Sequence, residues 1–372
     1  MSDNASTEVQ QQQMKKIFIC DDAWYEIFAF VHPFELGLKM ALISDRLDVL
    51  VDVHFKSRKW SLGRLRIRRA TDGNGAEIVK HFSERLPIPQ GPIPNSVIGF
   101  ERIEINFVDK TVVEFLQHFR RLFDSSGTNV YIETNYGQRR SWEIIWQKIW
   151  PLINDNICHF CLDPPISNCL RRFSPTVLRS CANLRSIEIY GLFPEFPAED
   201  NAAASSNQAL AKWLLTPRGD GLPKIFNCVP YSTGLEGLQR SFVNASEPVN
   251  FIIRLRRSDL SDIEPFELKN NLTGERLILR AALSEDVFMK NIMRDKILGF
   301  NQFFANRRDN WTFQALYWRL LVRCPIVRDE GKWAEWEEAA IVWVRSRQRN
   351  CFVIAFEDKD IGEGMTYKRK ST

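Results

Sequence analysis

Between residues 17 and 55 apolar side chains recur every three to four positions. Trp24, Ile27, Phe28 and Val31 share one stripe, and Asp21 or Asp22 can cap the helix that carries it. His32-Pro33 stops that helix, because the residue before a proline avoids helical angles. A second short turn begins at Pro33-Phe34-Glu35-Leu36-Gly37. Met40, Ile43, Leu47 and Leu50 mark a third helix. Three short helices expose more apolar surface than so small a unit covers alone.

The rhythm then changes to short apolar runs separated by helical stripes. Strands are predicted at residues 65–68, 103–107, 130–132, 158–162, 184–189, 225–229 and 251–255. Between them, Val112, Phe115, Phe119 and Leu122 form one helical face. Trp142, Ile145, Ile149 and Leu152 form another, with Ser141 as its cap, and residues 170–178 and 208–215 read as weaker helices. Comparable strand positions Ile67, Ile105, Ile132, Phe160, Ile187, Phe226 and Ile253 lie 38, 27, 28, 27, 39 and 27 residues apart. The two long intervals hold evident insertions, at residues 86–94 and 194–206. Such a period is the signature of a βα repeat of leucine-rich-repeat type. Short strand–helix–strand connections require parallel strands, since each helix returns the chain to the same edge.

Beyond residue 259 the pattern suggests a hairpin across 265–280, a helix at about 286–304, a strand at 317–324 and a long helix at 330–347. Trp333, Trp336, Ala340, Trp343 and Val344 share one face of the last helix, with Glu335, Glu337, Glu338, Arg345 and Arg347 elsewhere. This segment is expected to cap the end of the repeats, whose last unit would otherwise leave its core wet. The expected divisions are a polar tail at 1–16, a helical domain at 17–58, a repeat domain at 59–258, an α+β cap at 259–356 and a polar basic tail at 357–372.

Composition adds little: 44% hydrophobic and 26% charged residues are ordinary for a globular chain. A net charge of +4 is too small to argue for nucleic acid. The first residues lack a basic start and an apolar run, and no stretch is apolar enough to span a bilayer, so a cytoplasmic or nuclear protein without membrane contact is expected. The eight cysteines are then expected as reduced thiols.

Chemistry is sparse. Cys158-His159-Phe160-Cys161 has zinc or thiol-exchange spacing, but it falls in a predicted strand, where residues three apart point to opposite faces. Buried repeat cysteines are the plainer reading. Arg64, Arg66 and Arg68 line one strand face and could meet an acidic substrate patch; without neighbouring aromatics they argue against nucleic acid. Tyr131 and Tyr190 on repeat strands are further candidates for substrate contact. No phosphate loop, nucleophile elbow or metalloprotease motif occurs, and the five histidines have no paired acid or nucleophile at a recognisable spacing. No catalytic residue, metal ligand or cofactor is expected.

One resemblance is specific. Residues 19–31, then Pro33-Phe34-Glu35-Leu36, then Ala41-Leu42-Ile43-Ser44-Asp45-Arg46 follow the pattern of an F-box, with Ile19-Cys20 standing where the pattern opens on Leu-Pro. Together with Val51-Asp52-Val53-His54-Phe55, Ala211-Lys212-Trp213-Leu214 and Phe251-Ile252-Ile253-Arg254-Leu255, the chain resembles the large F-box families expanded in nematodes. The resemblance implies an α/β chain: a short three-helix F-box, then a degenerate leucine-rich-repeat-like βα solenoid with parallel strands, closed by a capping hairpin and helix. It implies a non-catalytic substrate receptor joined through a Skp-type adaptor to a cullin scaffold and holding an unknown protein substrate. Its adaptor-binding residues would be Ile19, Cys20, Trp24, Ile27, Phe28, Phe30, Val31, Pro33, Leu36 and Leu42. The alternative is a repeat-domain scaffold whose helices only cap the solenoid.

Overall fold

The structure, a computed structural model, describes residues 19–31, 35–56, 60–80, 85–93, 95, 97–124, 127–162, 164–189, 191–228, 234–256, 264–281, 318–341 and 349–365. The expected tail at 1–16, the helix at 286–304 and residues 342–348 and 366–372 lie outside this set. The chain divides into two compact units: residues 1–62 with 94–98, and residues 63–93 with 99–372.

The first unit holds helices α1 (Asp21–Phe30) and α2 (Asp45–Lys56), a π-helical turn Leu36–Met40, and strand β1 (Trp60–Ser61), which pairs with Val97–Gly99. Its interior is built on Phe28, Leu36, Leu47, Leu50, Val51, Phe55 and Leu62. The Phe28 ring lies 5.8 Å from Trp24, 6.3 Å from Tyr25 and 5.6 Å from His54, so one side chain fastens α1 to α2. Burying such a ring contributes about 1.5–3 kcal/mol. Two local expectations are corrected. Cys20, and neither aspartate, occupies the N-cap of α1; Asp21 and Asp22 sit in the first turn, where the helix dipole favours acid. Asp21 instead accepts from Arg46 at 2.5 Å. The third helix starts at Asp45, with Ser44 Oγ accepting from Leu47 N–H at 3.3 Å, so Met40 and Ile43 precede it.

The second unit is α/β with one large, mostly parallel sheet. Its strands are β2 (Arg64–Arg69), β3 (Ala76–Val79), β4 (Arg85–Pro87), β6 (Arg102–Ile105), β7 (Thr128–Ile132), β8 (Ile157–Leu162), β9 (Ser186–Ile189), β10 (Lys224–Cys228), β11 (Phe251–Arg256), β12 (Phe266–Asn270), β13 (Glu275–Ala281), β14 (Trp318–Pro325) and β15 (Cys351–Ile354), the Val97–Gly99 strand being β5. The order across the sheet is β12-β13-β14-β11-β10-β9-β8-β7-β15-β6-β2-β3-β4. From β11 to β2 every pairing is parallel; antiparallel strands extend both edges. Connecting helices are α3 (Lys110–Asp124), α4 (Arg139–Ile144, continuing as π-helical Ile145–Ile149 and then Trp150–Ile153), α5 (Pro164–Phe173), α6 (Val177–Ser180), α7 (Ser206–Leu215) and α8 (Gly234–Val243).

The predicted strand positions fall on two rungs, two residues apart on the same face of the sheet. Leu65, Ile103, Phe352, Val130, Phe160, Ile187, Phe226, Ile253, Leu321 and Leu279 form one continuous rung, and all are buried. On β2, β6 and β7 this rung passes through Leu65, Ile103 and Val130, two residues before the expected Ile67, Ile105 and Ile132, which share a rung of their own with Ile354; the offset arises between β7 and β8, beside an irregularity at Thr128/Asn129. A shift of two keeps the side chain on the same face, so the pattern survives it. The helices pack on this face: Phe123 meets Phe352 at 5.2 Å and Trp150 meets Phe160 at 5.7 Å. Helix α7 opens with a capping box, Ser205 accepting from Gln208 N–H and Gln208 accepting from Ser205 N–H. Ser141 is no cap. It lies inside α4, and its N–H and hydroxyl both donate to Asp358 Oδ1, at 2.8 and 2.9 Å.

The C-terminal segment does more than cap. As expected, β12 and β13 form a hairpin, β14 follows, and α9 (Glu330–Ile341) covers this end of the sheet on the face opposite the repeat helices, through Trp333 and Ala340 on Ile225, Ile252, Leu320 and Val322. Glu337, read as a polar-face residue, is buried and bonded to Arg280 and Arg328. The correction lies in β15. It returns to the middle of the sheet and inserts between β6 and β7, parallel to both. All four of its residues are buried, as a continuous apolar run flanked on both sides by strands should be. Asn350 starts it in the left-handed region at φ 52°, with Oδ1 accepting from Phe100 N–H at 3.2 Å and Nδ2 donating to Gly127 O at 3.3 Å. The expected polar tail from 357 is likewise ordered through 365: Val108 bridges Ile361, and Gly362 N–H donates to Val108 O at 2.7 Å. A side chain at Gly362 would place its Cβ 2.6 Å from the Phe107 ring, so this backbone approach requires glycine.

Candidate functional site

The residues expected to meet an adaptor divide by burial. Phe30, Leu42, Ile27 and Cys20 are exposed, Phe30 at 91% and Leu42 at 80%. Ile19, Trp24 and Val31 are half-buried. Phe28 and Leu36 are interior, at 1% and 0%, so they hold the helices together and present nothing to a partner. Pro33 lies outside the described residues. Exposed apolar residues that were missed include Ile43, Val49 and Val53 on the helical part of the unit. The signal was present for two of them, since Val49 and Val53 lie four apart on α2 and off the Leu47–Leu50–Val51 stripe. Exposed apolar residues in such number on one small unit are a feature that contact surfaces share. Arg46 ties the opening of the unit down, donating to Ile19 O at 2.8 Å as well as to Asp21.

On the sheet, the face away from the repeat helices is the second candidate. Arg64, Arg66 and Arg68 do lie on it together, but each meets a glutamate. Arg64 pairs with Glu101 at 3.1 Å, Arg66 with Glu104 at 3.2 Å and Arg68 with Glu77 at 3.0 Å. Glu104 and Glu77 are the register partners of Arg66 and Arg68, so these are cross-strand pairs. The stripe presents ion pairs and no row of bare cations. Tyr131 is on the same face but buried, its ring 5.8 Å from His159 and its neighbours Cys351, Val353 and Cys161. It is a packing residue there. Tyr190 lies outside the described residues.

Farther along, Ser186 and Asn227 are buried on β9 and β10, with the Ser186 hydroxyl and both side-chain polar atoms of Asn227 unmatched among the described residues. Sequence alternation places them on this face; nothing in the sequence marks them as unsatisfied.

The cysteine pair is taken apart by the strand. Cys161 joins the Tyr131 cluster, whereas Cys158 contacts Thr128 O at 3.4 Å, and burial pushes its thiol above the ordinary value. Among the described residues no group of three metal-ligating side chains occurs, and no helix is long and apolar enough to cross a membrane. No protein-family model, no curated protein and no solved structure matches this chain.

Proposed function

We propose that the protein is a substrate-recognition subunit of a Skp-cullin-type ubiquitin ligase. Its N-terminal helices act as an F-box, and its leucine-rich-repeat-like sheet unit holds a protein substrate. The observation that carries this reading is the set of exposed apolar side chains Ile27, Phe30 and Leu42 on a helical unit whose own core is closed, at the residues that resemble the box. A side chain such as Phe30, left in water by its own fold, is the kind of anchor a helical partner buries. The parallel repeat strands in register support the second half, because solenoid-type units offer extended binding surfaces. Such a receptor does no chemistry; it raises the concentration of substrate near the transferring enzyme.

The opening of the box departs from Leu-Pro, and the contact of Arg46 with Ile19 O supplies a different restraint on the same segment. Isothermal titration of the purified full chain with a Skp-type adaptor tests the proposal. Saturable binding is expected, weakened by exchange of Phe30. Wild-type protein that recovers no adaptor removes it and leaves a repeat-based binding scaffold.

A further inference from the structure

The loops that lead into β9 and β10 enclose a cavity of about 310 Å³, lined by Arg179, Cys181, Asn183, Arg218, Asp220 and Lys224 among others. Its floor is unusual in charge. Lys224 heads β10 and is buried at 4% exposure. Its ammonium donates to Trp213 O and to Thr216 O, the latter at 2.6 Å, and lies 5.0 Å from the centre of the Trp213 ring. Those carbonyls end helix α7, whose dipole favours a cation there. Two of the three ammonium donors are thus used, and the third has no partner among the described residues.

Two of the neighbouring cations, Arg218 and Arg179, differ from Lys224 in having acids. Arg218 holds Asp220 through two bonds of 3.0 and 2.6 Å, and also donates to Leu184 O at 3.0 Å. Arg179 pairs with Asp200 at 3.2 Å. Arg185, just outside the lining, donates to Pro223 O at 3.3 Å and is pulled below its ordinary value by burial and by Arg218. No carboxylate among the described residues pairs with Lys224. Burial, and then Arg218, bring its amine down to about 7. Cys181 beside it is pushed up to about 12 by burial and by Asp155, so its thiol stays protonated and adds no anion.

A buried lysine without an acid, beside an arginine that keeps one Nη2 N–H beyond its bonds to Asp220, Leu184 O and Asn183 O, at the wall of an open cavity, lacks only its counter-charge. We propose that this cavity binds a phosphate-sized oxyanion, with Lys224 and Arg218 as the cationic donors. The volume is at the low end for small-ligand pockets and leaves room beyond the oxyanion for the first atoms of the group that bears it. This site stands whether or not the N-terminal helices bind an adaptor.

The test is the titration of Lys224 in the full chain, followed by NMR of protein carrying ε-carbon-labelled lysine. The Lys224 resonance is identified from the Lys224→Arg variant. Inorganic phosphate and phosphoserine are the probes, against chloride at equal ionic strength. An anion within a few ångströms is expected to raise the Lys224 midpoint by about one to three pH units. A shift with both probes means the oxyanion suffices; a shift with phosphoserine alone means that the bearing group contributes. Either supports the site. As a second readout, phosphate should raise the melting temperature of the wild type and not that of Lys224→Met. Should Lys224→Met fail to fold, the wild-type titration decides. Superimposable Lys224 titrations in chloride, phosphate and phosphoserine overturn the proposal.

Discussion

Removing Arg323 should destabilise the sheet unit by about 3–5 kcal/mol, the cost of leaving one charge of a buried ion pair uncompensated. Arg323 and Glu275 are each only 1% exposed, on neighbouring strands β14 and β13. The guanidinium donates to Glu275 Oε2 from Nε at 3.1 Å and from Nη2 at 2.6 Å. It also donates to Glu247 O at 2.9 Å and lies 5.2 Å from the Phe242 ring centre. The other oxygen of Glu275 accepts from Val249 N–H at 2.8 Å. In Arg323→Met the carboxylate keeps one donor and no cation. Adding Glu275→Gln removes the stranded charge while leaving an oxygen for Val249, so the double variant should recover about 2 kcal/mol of the loss. Urea unfolding followed by circular dichroism measures both, with an unchanged slope as the check that the same transition is compared. A loss of no more than about 1 kcal/mol for Arg323→Met would show that the lone Glu275 carboxylate carries no such penalty. So would a double variant no more stable than the single one.

Three further outcomes are expected. Phe30→Ala and Leu42→Ala should each weaken adaptor binding by about 2 kcal/mol without moving the melting temperature, because both side chains are already in water; calorimetric titration and thermal unfolding of the same samples check this. For Lys224 the folded chain holds its proton less tightly than the unfolded chain, at about 7 against an ordinary 10.5. Between those values the unfolded state binds more protons, so stability should rise with pH from about 7 to about 10.5, by of the order of 1 kcal/mol per pH unit, with the full deficit present below 7. In Lys224→Met the same urea series should be flatter. Asn350→Ala should cost about 2–3 kcal/mol, through a left-handed backbone without glycine or asparagine and two lost side-chain bonds at the start of β15; equal stability of Asn350→Ala and wild type in urea would show that β15 needs no such anchor.

Much of the fold was legible in the chain. Alternation set which strand residues are buried: Ile67, Ile105, Ile132, Phe160, Ile187, Phe226 and Ile253 all lie on the helix-covered face, and their separations of 27 and 28 residues marked the strand–helix units. A period-two pattern forgives a register slip of two, which is why the offset between β7 and β8 changed nothing about the core. The exposed and buried residues of the first unit were less legible. Phe28 and Phe30 are the same residue type two positions apart on one helix, and only the placement of α2 decides that one is core and the other surface.

The features readable from residue order are therefore local: the helical stripes, the inward face of each strand, the parallel sense of the strand–helix units, and the polar pattern that argues against membrane-spanning helices. The features that had to wait for the fold are non-local. The run Cys351-Phe352-Val353-Ile354 announces a buried strand, yet its place between β6 and β7 depends on partners some 220 to 250 residues away, such as Asn129 for Arg349 and Phe100 for Asn350. Likewise Arg64, Arg66 and Arg68 read as a basic stripe until β6 and β3 bring Glu104 and Glu77 into register beside them. Lys224 stands just ahead of the strand predicted at 225–229, and only the end of α7 and the neighbouring loop bury it. Spacing along a chain specifies which way a side chain points; the charge it meets there is set by strands and loops that fold onto it from elsewhere.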